Sequence, residues 1–183
     1  MNQLRTKSTR ATAATLLLAA LSMAVPSPVY AAQPLGTLVS EGGFDWMAGT
    51  WITTTGQGET IEVTYKWAVE KHVIAVHYKS SSGFDYHGLI FYRATEDKIV
   101  HVGADNLGGV WEGTWDSDGR RAIMEFANTR ANGDIRRGSA ASSRFDAETM
   151  KVEMYLVQDI EPGDEPMATM TYKRKKPAQK ANK

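Results

Sequence analysis

The chain has 183 residues, of which 42% are hydrophobic, and its 21 Lys and Arg residues balance 21 Asp and Glu residues. This length and composition predict a single globular domain. The sequence has no Cys, which excludes both disulfides and a lipid anchor attached through Cys.

Residues 1–31 have the features of a secretory signal peptide in the expected order. Basic residues near the start precede a twelve-residue apolar run from Ala14 to Val25. The small residues of Val29-Tyr30-Ala31 then resemble a cleavage site. Because the apolar run is too short to span a bilayer, we expect a mature chain that begins near Ala32, has no membrane span and is periplasmic or secreted.

Removal of the signal peptide changes the charge of the chain. Eighteen basic residues then remain against 21 acidic ones, and six of the eighteen lie between Lys173 and Lys183. The body of the protein is therefore acidic, which argues against a nucleic-acid partner. We expect the basic tail, 176–183, to be a solvated and frayed end, and binding to an anionic surface is the alternative.

The rest of the chain has the pattern of a β protein. Residues 32–43 are predicted as a linker with at most a short helical turn, and the folded domain as 44–175. The clearest strand signal covers 61–69, where apolar residues alternate with polar ones. The apolar residues of this strand are Ile61, Val63, Tyr65, Trp67 and Val69.

A first strand is predicted to begin at Gly49-Thr50-Trp51, and eight more follow 61–69 at nearly regular spacing. These eight are predicted at 72–80, 85–93, 97–105, 109–116, 120–128, 138–146, 150–158 and 167–175. Short turn signals such as Asp118-Gly119 separate the strands. The series predicts an all-β, antiparallel, up-and-down barrel of about ten strands, because closure removes exposed sheet edges. A two-layer sandwich is the alternative.

Gly49 and Trp51 are predicted to have structural roles at the start of this barrel. A Trp early in the first strand can plug one end of a small barrel. A Gly two residues earlier lets the backbone pass beneath the indole ring.

A Gly-x-Trp motif followed by a β-meander in an exported chain resembles the calycin superfamily, which includes lipocalins, fatty-acid-binding proteins and nitrobindins. The stretch from Phe44 to Trp51 is most similar to bacterial periplasmic lipocalin-like domains. The resemblance implies that a cationic side chain of a late strand, Lys173 or Arg174, lies over Trp51. Gly56-Gln57-Gly58 adds a likeness to nitrobindins, but their late haem-ligating His has no counterpart after His101, and no cofactor is predicted.

Two of the four histidines are predicted to face each other across a hairpin. If Ser80 and Phe84 flank the connection, His77 lies opposite His87, close enough for the pair to share a proton or a metal ion. A metal site would need a third ligand, such as Asp85 or Asp105. The simpler interpretation, two polar residues near the barrel mouth, leaves the site without a metal.

The hairpin at Asp118-Gly119 supplies the other candidate site. A two-residue turn would place Trp115 opposite Ala122, Gly113 opposite Met124 and Trp111 opposite Phe126. Such a face suits either a filled core or the wall of an apolar cavity. On the other face Glu112 would then oppose Glu125, as an acid/base pair if buried and as solvated carboxylates otherwise.

These patterns predict a non-catalytic protein that binds a small apolar or amphipathic molecule inside the barrel. No nucleophile motif, phosphate-binding loop or His-Glu-x-x-His motif is present, and no catalytic residue is predicted. The alternatives are an enzyme that uses cavity His or Glu residues and a filled barrel that acts as a protein-interaction module. The predicted ligand-binding residues are Tyr65, Trp67, His77, His87, Trp111, Trp115 and Phe126.

Overall fold

The computed structural model describes residues 33–161 and 164–176; the predicted signal peptide and most of the basic tail lie outside them. The helices are α1 (Leu35–Glu41) and a 3-10 helix (Asp45–Met47). The strands are β1 (Gly49–Thr54), β2 (Thr60–Val69), β3 (Val73–Ser80), β4 (Asp85–Arg93), β5 (Lys98–Asp105), β6 (Val110–Ser117), β7 (Arg121–Thr129), β8 (Ile135–Arg144), β9 (Thr149–Tyr155) and β10 (Ala168–Arg174). Neither helix in these segments is long and apolar enough to cross a membrane.

The ten strands form one closed antiparallel barrel in which each strand pairs with its neighbours in sequence and β1 also pairs with β10. The predicted up-and-down barrel is therefore confirmed, and the sandwich alternative is wrong. The largest errors in the strand bounds are at β8, which begins three residues before the predicted 138, and at β9, which ends three residues before 158.

Alternation along β2 places its apolar side chains in the barrel interior. Ile61 and Val63 are buried there, and Tyr65 and Trp67 pack against the same core. Val69 was expected on this face but is 53% exposed. The register between β2 and β3 shifts between Trp67 and Val69, and such a bulge breaks the period of two.

Trp51 closes the core beside the first helices. Its side chain is 0% exposed, and its indole N–H donates a hydrogen bond to the Met47 carbonyl oxygen at 2.9 Å. The Trp46 ring lies edge-on to it, with centroids 6.1 Å apart. The guanidinium of Arg174 covers the indole ring. The sequence left Lys173 and Arg174 as candidates for this position, and the residue over Trp51 is Arg174.

Gly49 is required for a different reason from the one expected. A side chain at this position would collide with the Arg174 guanidinium and not with the Trp51 indole. Its φ of +130° also lies in a region that residues with a Cβ rarely adopt. Gly49 thus leaves room for the cation that covers Trp51.

Helix α1 lies in the segment that was predicted as a linker with a short helical turn. Isolated helices of this length are marginal in water, so tertiary contacts must hold it. Leu35 is 1% exposed and belongs to the barrel core. The Gly36 N–H donates to the Lys71 carbonyl oxygen, in the turn between β2 and β3, at 2.8 Å. The helix is therefore anchored at one end of the barrel.

Candidate functional site

The barrel interior contains a cavity of about 470 Å³ at the end where α1 lies. Its walls come from α1, the segment before β1, and strands β2 to β7. The apolar and aromatic lining residues are Leu35, Leu38, Val39, Phe44, Met47, Ala48, Tyr65, Trp67, Ile74, Ile90, Tyr92, Ile99, Trp115 and Ala122. Exposed polar residues at its rim are Asp45, Asp97, Lys98, Asp116 and Ser117. The cavity thus has an apolar wall and a polar rim.

The aromatic residues predicted to bind a ligand are divided between two regions of the interior. Tyr65, Trp67 and Trp115 line the cavity. Trp111 and Phe126 do not line it; their rings pack together with centroids 5.4 Å apart. Trp111 also donates its indole N–H to the Asp105 carboxylate at 2.8 Å, beyond the cavity. The interior is thus filled at one end and hollow at the other.

Tyr65 and Trp115 contact each other in the cavity wall. Their rings meet edge to face with centroids 6.5 Å apart. Burial raises the pKa of Tyr65 to about 12, so its phenol is neutral at physiological pH. Among the described residues, the Trp115 indole nitrogen is the one buried side-chain N or O atom with no hydrogen-bond partner in the protein.

A buried histidine that was not predicted as a site residue lies between the two regions. His101 is 4% exposed, and its Nε2 lies 2.8 Å from the Tyr86 hydroxyl oxygen. Its ring stacks on Trp115 at a centroid distance of 6.1 Å. Burial lowers the pKa of His101 to about 4 and also raises that of Tyr86. Both groups are therefore neutral near pH 7, and the pair is a neutral hydrogen bond inside the core.

His77 and His87 lie opposite each other, as the sequence predicts. Their neighbours Val76 and Tyr86 are buried, so alternation directs both histidines to the outer face of the barrel. The expectation that they line the ligand cavity is therefore wrong. Asp85 is the nearby carboxylate, with its Oδ1 2.9 Å from His77 Nε2 and 3.3 Å from His87 Nε2.

Glu112 and Glu125 do not face each other. The loop between β6 and β7 leaves three residues outside the strands, so Glu112 pairs with Ala127 and Glu125 with Thr114. Burial and then the nearby carboxylates of Asp159 and Asp116 raise the pKa of Glu125. The predicted acid/base pair is therefore absent.

The observed register between β6 and β7 also changes the cross-strand partners of the aromatic residues. Trp115 lies opposite Met124, Gly113 opposite Phe126 and Trp111 opposite Asn128. The pairing is displaced by two residues from the prediction. A displacement of two keeps every side chain on its predicted face, so the aromatic residues still point inward.

Comparison with known proteins does not identify a family. No family model matches the chain, and no curated protein matches it. Among solved structures, a similar chain is described as a de novo design of a fluorescence-activating beta barrel. The two share 15% sequence identity with a TM-score of 0.36, and the alignment covers 71% of this chain and 94% of that chain.

Proposed function

We propose that the protein is exported and binds a small apolar or amphipathic molecule in the cavity beside α1. The observation that carries this proposal is the cavity of about 470 Å³ with its apolar lining. Its volume lies within the range of small-molecule sites. Binding would remove apolar surface of both the ligand and the wall from water, which is the main favourable contribution to such binding.

The polar rim favours an amphipathic ligand over a purely apolar one. Lys98, Asp97 and Asp116 are all exposed and border the cavity. A ligand with one polar end can place its apolar body against Tyr65 and Trp67 and leave that end in water. This arrangement avoids the cost of burying an unpaired polar group.

The two alternative functions have less support. An enzyme would need reactive groups that converge in the cavity, but His77 and His87 lie on the outer wall. An interaction module would need a filled barrel, whereas the interior contains a cavity beside α1. The proposed membership in the calycin superfamily rests on Gly49, Trp51 and the covering Arg174, and it agrees with a carrier of small ligands.

The proposal is tested by titrating the mature chain with an apolar fluorescent probe such as 1-anilinonaphthalene-8-sulfonate. We expect binding at about micromolar strength, with quenching of Trp emission. Two variants that alter the cavity should each weaken binding at least about fivefold. Trp67→Ala removes contact area from the wall, and Ile99→Trp fills space that the ligand would occupy. The matched control is Phe126→Leu, which changes an interior aromatic residue outside the cavity and should leave the affinity unchanged.

Circular dichroism at the titration temperature establishes that each variant is folded. Equal probe affinity in Trp67→Ala, Ile99→Trp and the wild-type protein would show that the probe binds elsewhere and would contradict the proposal. If the cavity variants do weaken binding, mass spectrometry of the protein purified from its native compartment would identify the natural ligand.

A further inference from the structure

We propose that His77, Asp85 and His87 form a binding site for a divalent transition-metal ion, such as Zn²⁺ or Cu²⁺, on the outer wall of the barrel. The site is separate from the ligand cavity and does not depend on the proposed carrier function. One potential ligand atom from each residue lies within 4.8 Å of the others. Within the described residues, this is the one group of three such side chains close enough to share an ion.

The distances lie close to those required by a metal with short bonds to nitrogen and oxygen, although His77 and Asp85 are at hydrogen-bond distance and must separate slightly to bind an ion. Asp85 Oδ1 lies 2.9 Å from His77 Nε2 and 3.3 Å from His87 Nε2. Tetrahedral zinc with bonds of about 2.0–2.1 Å separates its ligand atoms by about 3.3 Å. The two imidazole rings are stacked, with centroids 4.1 Å apart and planes inclined by 14°. Both Nε2 atoms lie within 3.3 Å of the same carboxylate oxygen.

The backbone that carries the three ligands is held rigidly. His77 and His87 occupy one registered pair in the ladder between β3 and β4. The Asp85 N–H donates to the Asn106 side-chain oxygen at 3.0 Å, and the Asn106 N–H donates to the Asp85 carbonyl oxygen at 2.8 Å. A site on paired strands needs little rearrangement to bind an ion, which favours affinity.

Lys79, the cation paired with Asp85 across the hairpin, leaves the Asp85 carboxylate available to a metal ion. Lys79 is the registered partner of Asp85, but its ammonium group binds Glu62 instead, at 3.1 Å. A set of two imidazole ligands and one carboxylate ligand carries a single negative charge, which an ion of charge +2 more than balances. Imidazole ligands favour zinc, copper and nickel over calcium or magnesium, which prefer oxygen.

Exposure leaves room for further ligands on the ion. The side chain of His87 is 73% exposed and that of Asp85 is 46% exposed. The two histidines also border an open hollow whose other walls include Thr64, Ala75 and Ala104. Water can therefore complete the coordination, as in sites with three protein ligands.

The experiment uses the mature chain without an affinity tag, after removal of metal with a chelator. Calorimetric titration with ZnCl₂ should show one site with a Kd of about micromolar strength. Asp85→Asn and His87→Ala should each weaken binding at least about tenfold, because loss of a supporting group alone has that effect. The matched control is His72→Ala, which removes an exposed histidine outside the cluster and should leave the affinity unchanged.

A second readout locates the ion independently of affinity. Electron paramagnetic resonance of the Cu²⁺ form should show two equatorial nitrogen ligands in the wild-type protein and one in His87→Ala. The exposed substitutions should not alter thermal unfolding measured with chelator present, which excludes loss of fold as the cause. The proposal would be overturned if neither Zn²⁺ nor Cu²⁺ bound at about millimolar concentration. It would also be overturned if the affinity were unchanged in either ligand variant, or if His72→Ala weakened binding equally.

Discussion

The guanidinium carbon of Arg174 lies 4.1 Å from the centroid of the Trp51 indole ring, and the two residues are registered partners where β10 meets β1. This junction closes the barrel with two registered pairs, whereas β1 and β2 share six. Arg174 adds hydrogen bonds to the carbonyl oxygens of Ala48 at 2.8 Å and Trp46 at 2.6 Å. One side chain therefore joins the last strand to the segment that precedes the first.

We expect Arg174→Ala to lower the free energy of unfolding by about 2 kcal/mol, because the cation–π contact and two charged hydrogen bonds are lost. Arg174→Lys should recover less than half of this loss, since an ammonium group cannot reproduce the planar fork. Urea denaturation monitored by Trp fluorescence measures both values. The neighbouring exposed Lys173→Ala is the control and should cost less than about 1 kcal/mol. Equal losses at the two positions would contradict the special role of Arg174.

Trp51→Ala should cost about 3–5 kcal/mol, the usual effect of truncating a large buried aromatic side chain. Gly49→Val should also destabilise the protein, because its side chain would displace the Arg174 guanidinium. If that reason is correct, the double variant Gly49→Val/Arg174→Ala should be more stable than the sum of the single losses predicts. Chemical denaturation of all these variants provides the test. Strict additivity would show that backbone strain at Gly49, and not the cation, causes the loss.

The ten-strand barrel could be predicted because its signals, the regularly spaced turns and the alternation at 61–69, arise from residues that are close together in the sequence. It also predicted the pairing of His77 with His87, since the Ser80 N–H and the Phe84 carbonyl oxygen close a short hairpin. The hairpin between β6 and β7 was predicted with the wrong register. There the Asp118 carboxylate accepts hydrogen bonds from the backbone N–H groups of Arg120 and Arg121, which stabilises a longer loop than the Asp-Gly pair indicates.

The interior site was only partly predictable. Trp111 and Phe126 have the same inward direction as Trp115, but only tertiary packing determines which aromatic residues fill the core and which border a cavity. His101 was missed because its two neighbours in β5, Val100 and Val102, are more apolar than His101 itself, and they suggest that the opposite face is the buried one. The orientation of His101 follows from its contact with Tyr86, a residue of the preceding strand.

Leu35 is expected to be the main anchor of α1. Leu35→Ala should reduce the free energy of unfolding by about 2–3 kcal/mol, since a fully buried Leu loses its contacts and leaves a void. The control is Leu38→Ala on the same helix, where the half-buried side chain should cost about 1 kcal/mol or less. Leu35→Ala should also change probe affinity, because α1 forms part of the cavity wall. Equal effects of the two substitutions on unfolding would contradict the anchoring role.

The buried His101 should make the protein less stable in mild acid. Its pKa is about 4 in the folded chain because of burial and about 6.5 when unfolded. Between these values the unfolded chain binds the proton and the folded chain does not, so stability falls as the pH is lowered from about 6.5 to about 4. The contribution of this one group over that range is about 3 kcal/mol.

Urea denaturation at intervals between pH 7 and pH 4 should show this loss of stability, and NMR should show one imidazole that stays neutral at pH 5. His101→Gln, which can still bond Tyr86, should flatten the pH profile, whereas His72→Ala should not; a wild-type slope retained in His101→Gln would exclude His101 as its cause.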